Sequence, residues 1–537
     1  MKNITKKLST TFVFLLFFLL VLKNPYSTRN LVANLEPFPD SQHYITAPLC
    51  FLNRGEWTLC RLNNVDLEGS KPSVPPLYSI SILPSLFINN DPRTVYFTNL
   101  FFALISLVLL RKLLNTLFKN FIITDIVSIF LITNYFFYWV PTLAMAENLF
   151  LPLFFFGVYL LTQKTSKRNL FFAGLVTVSF YGHKYAFAPI TLTYGISYGL
   201  KIILEYWKNK KELLKNIGIY LLSGILIIPL FFDIQKLFYF SSGLANKKVA
   251  GVSGGGAFSL AFFNKHLPEY LKPLLGQTQR FLWDFTPLLP QWLAKLSILG
   301  LLVSIFEKKK RLISFFLISS TIMQLLFIST FYVVDTRYVY NFLPTLLIGF
   351  AFLLDLIRKK LVFSLPFFKE AKHNYTFYII SFVLLAYYLI PLAPTIKKQI
   401  GLNLKYTETP WWKVSVDEMN IFFKEENNNY LITLASPYFL DYYSNQNYQP
   451  LPLNEQQDFH GKFKQIWEEG DYSNLTKLYQ SKLDNHNVYV TNYGINGADI
   501  FRSSFKNIEE NFTLTEVHTG CHKLCNIYQL SIKEETN

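Results

Sequence analysis

Apolar runs of about twenty residues recur through the first four hundred residues of this chain, and a water-soluble fold has no use for them. That is the length an α-helix needs to cross the hydrocarbon core of a bilayer. Short basic clusters stand between the runs: Lys2/Lys6/Lys7, Arg111/Lys112/Lys119, Lys164/Lys167/Arg168, Lys208/Lys210/Lys211/Lys215, Lys308/Lys309/Lys310/Arg311 and Arg358/Lys359/Lys360. Clusters of this kind mark cytoplasmic loops under the positive-inside rule. Of the 537 residues, 51% are hydrophobic and only 16% charged, whereas a soluble domain carries about a quarter charged residues. The chain reads as a polytopic α-helical membrane protein. Its net charge of +16 resides largely in those clusters. No basic stripe interleaved with aromatics runs along it, so no nucleic acid is expected as a partner.

Eleven spans fit, at roughly 6–23, 93–111, 120–139, 144–162, 169–182, 185–204, 216–233, 290–306, 312–333, 338–357 and 375–395. With the N-terminus in the cytoplasm, every basic cluster falls on the cytoplasmic side and the C-terminus emerges outside. Slipping by one span would invert all later loops. The start, Met1–Leu22, has the basic and apolar regions of a signal peptide. No small-x-small cleavage site follows, so it reads as an uncleaved first span. The fifth span is the weakest, being short and holding Gly174 and Ser179.

This division gives a membrane domain over 1–396 with two longer extracytoplasmic loops, 24–92 and 233–289, and an extracytoplasmic tail over 397–537. The second loop carries Gly251-Val252-Ser253-Gly254-Gly255-Gly256, a hinge-like run. The tail holds strand-like runs at Tyr430–Leu434 and Asn487–Thr491, with helical stretches at Asp458–Glu469 and Leu475–Lys482 between them. Alternating strand and helix points to a small α/β domain. No internal repeat is visible.

The four cysteines, Cys50, Cys60, Cys521 and Cys525, all fall in outward segments. Thiols outside a cell tend to pair, and the local pairings are Cys50–Cys60 and Cys521–Cys525. Cys521, Cys525, His518 and His522 could instead ligate zinc, but the disulfide is the stronger reading. No metal site is assigned.

Two acids and one arginine stand out by position. Asp40, in Glu36-Pro37-Phe38-Pro39-Asp40-Ser41-Gln42-His43-Tyr44, either caps a short helix through Ser41–Leu52 or serves as a catalytic base, or does both. Glu147 opens the fourth span. It is either an interfacial acid near a helix N-terminus or the second carboxylate of a site. Arg337 lies on the outer side, against the positive-inside rule. It either pairs with Asp335 or holds an anion, for which a guanidinium fork suits phosphate. His183-Lys184-Tyr185 and Lys71 are weaker candidates of the same kind. There is no P-loop, no HExxH and no GxSxG elbow.

The order of these features resembles the GT-C superfamily of membrane glycosyltransferases, in the branch holding protein O-mannosyltransferases and the lipid A aminoarabinose transferase. The acidic motif after span one is Asp40-Ser41-Gln42-His43-Tyr44, continuing to Ala47. Pro76-Leu77-Tyr78 leads into span two, Glu147 opens span four, and Arg337-Tyr338 with Pro344 begins a late span. An outer domain closes the chain. Many relatives carry Asp-Glu where this chain has Asp40-Ser41, which makes Glu36 an alternative second carboxylate.

The resemblance implies inverting transfer of a sugar from a polyprenyl-monophosphate carrier to a lipid, glycan or protein acceptor, on the extracytoplasmic face. Asp40 would be the general base and Glu147 a further catalytic carboxylate. Glu36, Tyr44, Lys71, Tyr78, His183, Lys184, Arg337 and Tyr338 would bind substrate. No cofactor is implied. The rival classes are a transporter or flippase of lipid-linked sugars, and an O-antigen ligase or polymerase. A transporter would place ionisable groups at mid-span and often shows an internal repeat; here the candidate charges sit at span ends.

Overall fold

The computed structural model describes residues 2–23, 39–58, 74–231, 260–280, 284–285, 287–331, 336–364, 370–404, 411–425, 429–434, 440, 444–445, 447–453, 472–497 and 499–533. Glu36, Cys60, Lys71, Asp335, the Gly251–Gly256 run and the expected helix at Asp458–Glu469 lie outside the described residues. The chain divides into two compact units. One comprises Met1–Lys23, Val74–Ser85 and Val95–Leu404; the other comprises Asn24–Ser73, Leu86–Thr94 and Lys405–Asn537.

The first unit is a helical bundle, and each of the eleven apolar segments overlaps helix among the described residues. In chain order the bundle helices are α1 (Lys2–Val21), α2 (Val95–Phe118), α3 (Phe121–Ile132), α4 (Tyr135–Trp139), α5 (Glu147–Thr162), α6 (Lys167–His183) and α7 (Ala188–Tyr206). They continue with α8 (Lys210–Phe231), α9 (Gln291–Ser304), α10 (Arg311–Ile328), α11 (Leu343–Ser364) and α12 (Glu370–Leu404). Among the described residues, four helical stretches are long and apolar enough to cross a membrane, at Pro92–Phe118, Arg311–Ile328, Arg337–Lys360 and Thr376–Leu404. Others are apolar but shorter. The 16 residues of α5 extend about 24 Å at 1.5 Å per residue, against a hydrocarbon core about 30 Å thick.

Two expected spans are interrupted. The third bends by 63° between α3 and the helical turn that follows. Asn134 makes that break: its side chain accepts the Phe136 N–H and donates to the Leu288 carbonyl at 2.6 Å. The tenth consists of a short helix, Thr336–Tyr340, and then α11 from Leu343.

Large apolar side chains face outward along whole helices. Leu221, Leu222, Ile225 and Leu226 on α8 are exposed, as are Ile379, Phe382, Val383 and Ile390 on α12. In water such faces would aggregate; in lipid they are the expected surface. The protein is a multi-pass membrane protein. Inside the bundle, small residues set the helix spacing. A Cβ on Gly174 of α6 would come within 1.9 Å of Ser223 Oγ on α8. The glycine that weakens the fifth span as a hydrophobic signal is therefore what lets the two helices close. Gly300 and Gly349 do the same between α9 and α11, where a Cβ on Gly300 would meet the Gly349 carbonyl at 2.0 Å.

A buried ion pair joins α2 to α3. Arg111 and Asp125 meet at 2.7 Å; Ser9 of α1 donates to Asp125 at 2.5 Å and Arg111 donates to Thr10 at 2.9 Å. A second cluster ties the α9–α10 turn to α11: Lys310 lies 2.9 Å from both Glu307 and Asp355, and Lys359 lies 3.0 Å from Glu307.

The second unit contains a five-stranded sheet. Its strands are β1 (Asn429–Thr433), β2 (Tyr448–Pro452), β3 (Val488–Thr491), β4 (Phe512–His518) and β5 (Ile527–Ile532). The order is β2-β1-β3-β5-β4. The first three run parallel and β5 is antiparallel to both β3 and β4. β1 and β3 are apolar on both faces, as parallel strands covered by helices must be. The helices Ser473–Leu483 and Asp499–Asn511 belong to this unit, and Tyr479, Phe505 and Ile508 from them join its core. Cys521 and Cys525 are disulfide-bonded, so neither sulfur is open to zinc. Cys50 is also disulfide-bonded. His518 meets Glu418 at 3.0 Å.

Candidate functional site

Six chain segments supply the polar groups of this region, and burial makes each of them costly. The segment Pro141–Asn148 leads into α5. Its residues Leu143, Ala144, Met145, Ala146 and Glu147 are all buried, although no regular helix holds 143–146. Two amides satisfy the carbonyls of this stretch. Asn99 of α2 donates to Pro141 at 3.1 Å and to Leu143 at 2.8 Å. Asn148 donates to Leu143 at 2.8 Å and to Met145 at 3.0 Å. Tyr78 in turn donates to Asn99 Oδ1 at 2.7 Å. The Pro-Leu-Tyr motif thus grips the turn that presents Glu147.

Glu147 is 1% exposed and Lys184 is 6% exposed, and the Lys184 ammonium donates to Glu147 Oε1. Glu147 starts α5, and Lys184 follows the last residue of α6. The carboxylate stands at a helix N-terminus, where the helix dipole favours it. The Lys184 Nζ also lies 4.9 Å from the Tyr338 ring centroid, a cation–π distance. Tyr338 belongs to the short helix Thr336–Tyr340. The preceding residue, Arg337, donates from Nη1 to Met145 Sδ at 3.0 Å. Tyr78, Glu147, Lys184, Arg337 and Tyr338 therefore belong to one network, and His183 stands next to Lys184 in the chain. Sequence reasoning missed Asn99, Asn148, Gln324 and Asn341. The available signal was a side-chain amide inside an apolar span, which is expensive unless it is used.

Four buried groups in this region retain polar atoms with no partner among the described residues: Glu147 Oε2, His183 Nε2, Gln324 Oε1 and both amide atoms of Asn341. An unpaired buried polar group costs about 1–3 kcal/mol. The His183 ring lies 4.7 Å from the Phe187 ring and 6.2 Å from the Phe150 ring. Its Nδ1 sits 3.1 Å from the Ser179 carbonyl oxygen. A carbonyl only accepts, so Nδ1 carries the proton and, in the neutral ring, Nε2 is an acceptor. Gln324 of α10 donates its Nε2 to the Ala186 carbonyl at 2.9 Å, which fixes its Oε1 as the unpaired end.

The remaining sequence candidates belong to the second unit. Helix Pro39–Arg54 takes in Asp40, so Asp40 lies within the helix and not at a cap before Ser41. Asp40 is described in its backbone; Tyr44, one turn on, is 1% exposed.

No protein-family model and no curated relative matches the chain. Solved structures do. ArnT from Cupriavidus metallidurans bound to undecaprenyl phosphate is similar over 97% of this chain and 97% of its own, with a TM-score of 0.53 at 10% identity. The same protein in the apo state gives a TM-score of 0.56. The Archaeoglobus fulgidus oligosaccharyltransferase complexed with zinc and sulfate is similar over 98% of this chain and 73% of its own, with a TM-score of 0.55 at 12% identity. This chain has the fold of these structures.

Proposed function

We propose that this chain, built on the GT-C fold, transfers a sugar from a polyprenyl-monophosphate carrier to an acceptor at the extracytoplasmic face of a membrane. The single observation that carries the reading is the likeness to ArnT along nearly the full length of both chains. That structure was solved with undecaprenyl phosphate, the species such a donor leaves behind. The buried Glu147–Lys184 pair beside Arg337 supports it from within the chain. The charge map supports a cytoplasmic N-terminus and an extracytoplasmic C-terminal segment.

The reaction is one displacement. An acceptor hydroxyl oxygen attacks the anomeric carbon while the carbon–oxygen bond to phosphate breaks. The bonding pair leaves with the phosphate, and the hydroxyl proton passes to the base. Attack opposite the leaving group inverts the anomeric centre. Asp40 takes the proton, an assignment that rests on its motif Asp40-Ser41-Gln42-His43-Tyr44. Arg337 holds the phosphate through its forked donors and stabilises the charge that develops on it. Lys184 adds positive charge there but is committed to Glu147, so Arg337 carries the larger share. Glu147 orients the sugar or acceptor. A phosphate leaves without strong acid assistance, so one base suffices.

The test is release of polyprenyl phosphate by the purified protein from a panel of polyprenyl-phosphate sugars offered with candidate acceptors. Turnover with any member supports the reading. Binding without turnover across the panel would move the protein to the transporter class, and neither binding nor turnover would overturn the reading.

A further inference from the structure

We propose that Glu147, His183, Gln324 and Asn341 act as a sugar-reading set that selects a neutral, hydroxyl-rich glycosyl group over a uronic acid. The inference rests on the transferase reading above and names the donor class that this site takes.

These residues come from different elements, each tied to the Lys184–Glu147 pair by a contact or by close chain neighbourhood. His183 precedes Lys184. Gln324 holds the carbonyl of Ala186, two residues beyond Lys184. Asn341 follows the helix whose Tyr338 ring faces the Lys184 ammonium. Each is at most 3% exposed. Each keeps at least one polar atom without a partner among the described residues. Such atoms are retained in a bundle interior when water or a ligand satisfies them.

Their chemistry is one-sided. Glu147 Oε2 accepts. Gln324 Oε1 accepts, because Nε2 is used on Ala186. His183 Nε2 accepts, because Nδ1 is used on Ser179. Only Asn341 offers both a donor and an acceptor. Three acceptors against one mixed group call for a ligand that brings hydrogens, as a ring of sugar hydroxyls does. A hexuronic acid instead brings a carboxylate, which offers these atoms only further acceptors. Lys184 already neutralises Glu147, so the set does not demand a cationic sugar.

Equilibrium binding to the full-length protein in lipid nanodiscs tests this with three probes: a polyprenyl-phosphate hexose, a polyprenyl-phosphate hexuronic acid and bare polyprenyl phosphate. The wild type should bind the hexose carrier at least about tenfold more tightly than the hexuronic acid carrier. Gln324→Leu and Asn341→Leu should each weaken the hexose carrier by about tenfold or more and leave bare polyprenyl phosphate unchanged. Should Gln324→Leu fail to fold, Gln324→Met, closer in shape, reads the same loss. Equal affinity for the two sugars overturns the proposal. So does an equal loss of bare carrier in the variants, which would make the residues structural. Wild-type binding to bare carrier but to neither sugar carrier rejects the sugar-reading set alone; binding to none of the three removes the transferase reading and the inference with it.

Discussion

Lys184 and Glu147, 37 residues apart in the chain, close on each other as a buried ion pair that joins the end of α6 to the start of α5. Removing one partner of such a pair leaves the other charged in a medium that solvates it poorly, at a cost of about 3–5 kcal/mol. Glu147→Gln and Lys184→Met should each lower the unfolding temperature in detergent, and the double variant should be more stable than either. Transfer should be lost in all three. A double variant less stable than both singles would show that the pair is not the unit that matters.

Asp40→Asn keeps the size and helical position of the side chain while removing its basicity. Loss of a positioned general base lowers the rate by about 10²–10⁴, with carrier binding and membrane insertion retained. Glu36→Gln should stay within a few-fold of the wild type. Rates measured under single-turnover conditions decide between the two acids. The reverse pattern would move the base to Glu36.

Arg337→Lys keeps the positive charge but replaces a planar fork with a single ammonium. If Arg337 grips phosphate with two donors, Lys should not rescue Arg337→Ala. Both variants should then bind bare polyprenyl phosphate about 10–100-fold more weakly, as expected for lost hydrogen bonds to a charged group. Full rescue by Lys would reduce Arg337 to a point charge.

The bundle was legible because lipid imposes a simple rule: backbone polar groups must be satisfied within each helix, so long apolar runs become helices. The interruptions were not, because they depend on single side chains. Asn134 breaks the third segment by serving both a local N–H and the distant Leu288 carbonyl, and only the second of these is tertiary information. The site shows the same divide. Glu147 and Arg337 stood out as charges in unusual places. That Lys184 would be the partner of Glu147 depends on how α5 and α6 pack. Asn99, Gln324 and Asn341 were passed over because one amide hardly changes the hydropathy of a twenty-residue window. The helix expected from Ser41 takes in Pro39 and Asp40 as well, two residues earlier.

Asp125 is the ionisable group that a transporter reading would use. In the structure it is paired with Arg111 and accepts from Ser9, which makes it a clamp between α1, α2 and α3. Asp125→Asn should therefore destabilise the protein by about 3–5 kcal/mol through the stranded Arg111. Transfer per folded molecule should stay unchanged. Lost transfer in fully folded protein would bring Asp125 into the functional machinery.

Glu307 carries a pH dependence of known sign. Burial alone would raise its carboxyl, but hydrogen bonds and charge from Lys310 and Lys359 outweigh that and hold it below the ordinary value of 4.5. A carboxyl depressed on folding binds fewer protons than in the unfolded chain, so it adds stability above the unfolded value. That contribution fades as the pH falls from about 4.5 through the lower folded value. Glu307→Gln removes the charge at every pH. Its deficit in unfolding temperature should be full at pH 7 and shrink steadily below about pH 4.5. It should also shrink in high salt, since Glu307 and Lys359 are partly exposed and such pairs are screened. A deficit independent of pH would mean that Glu307 acts through packing rather than charge.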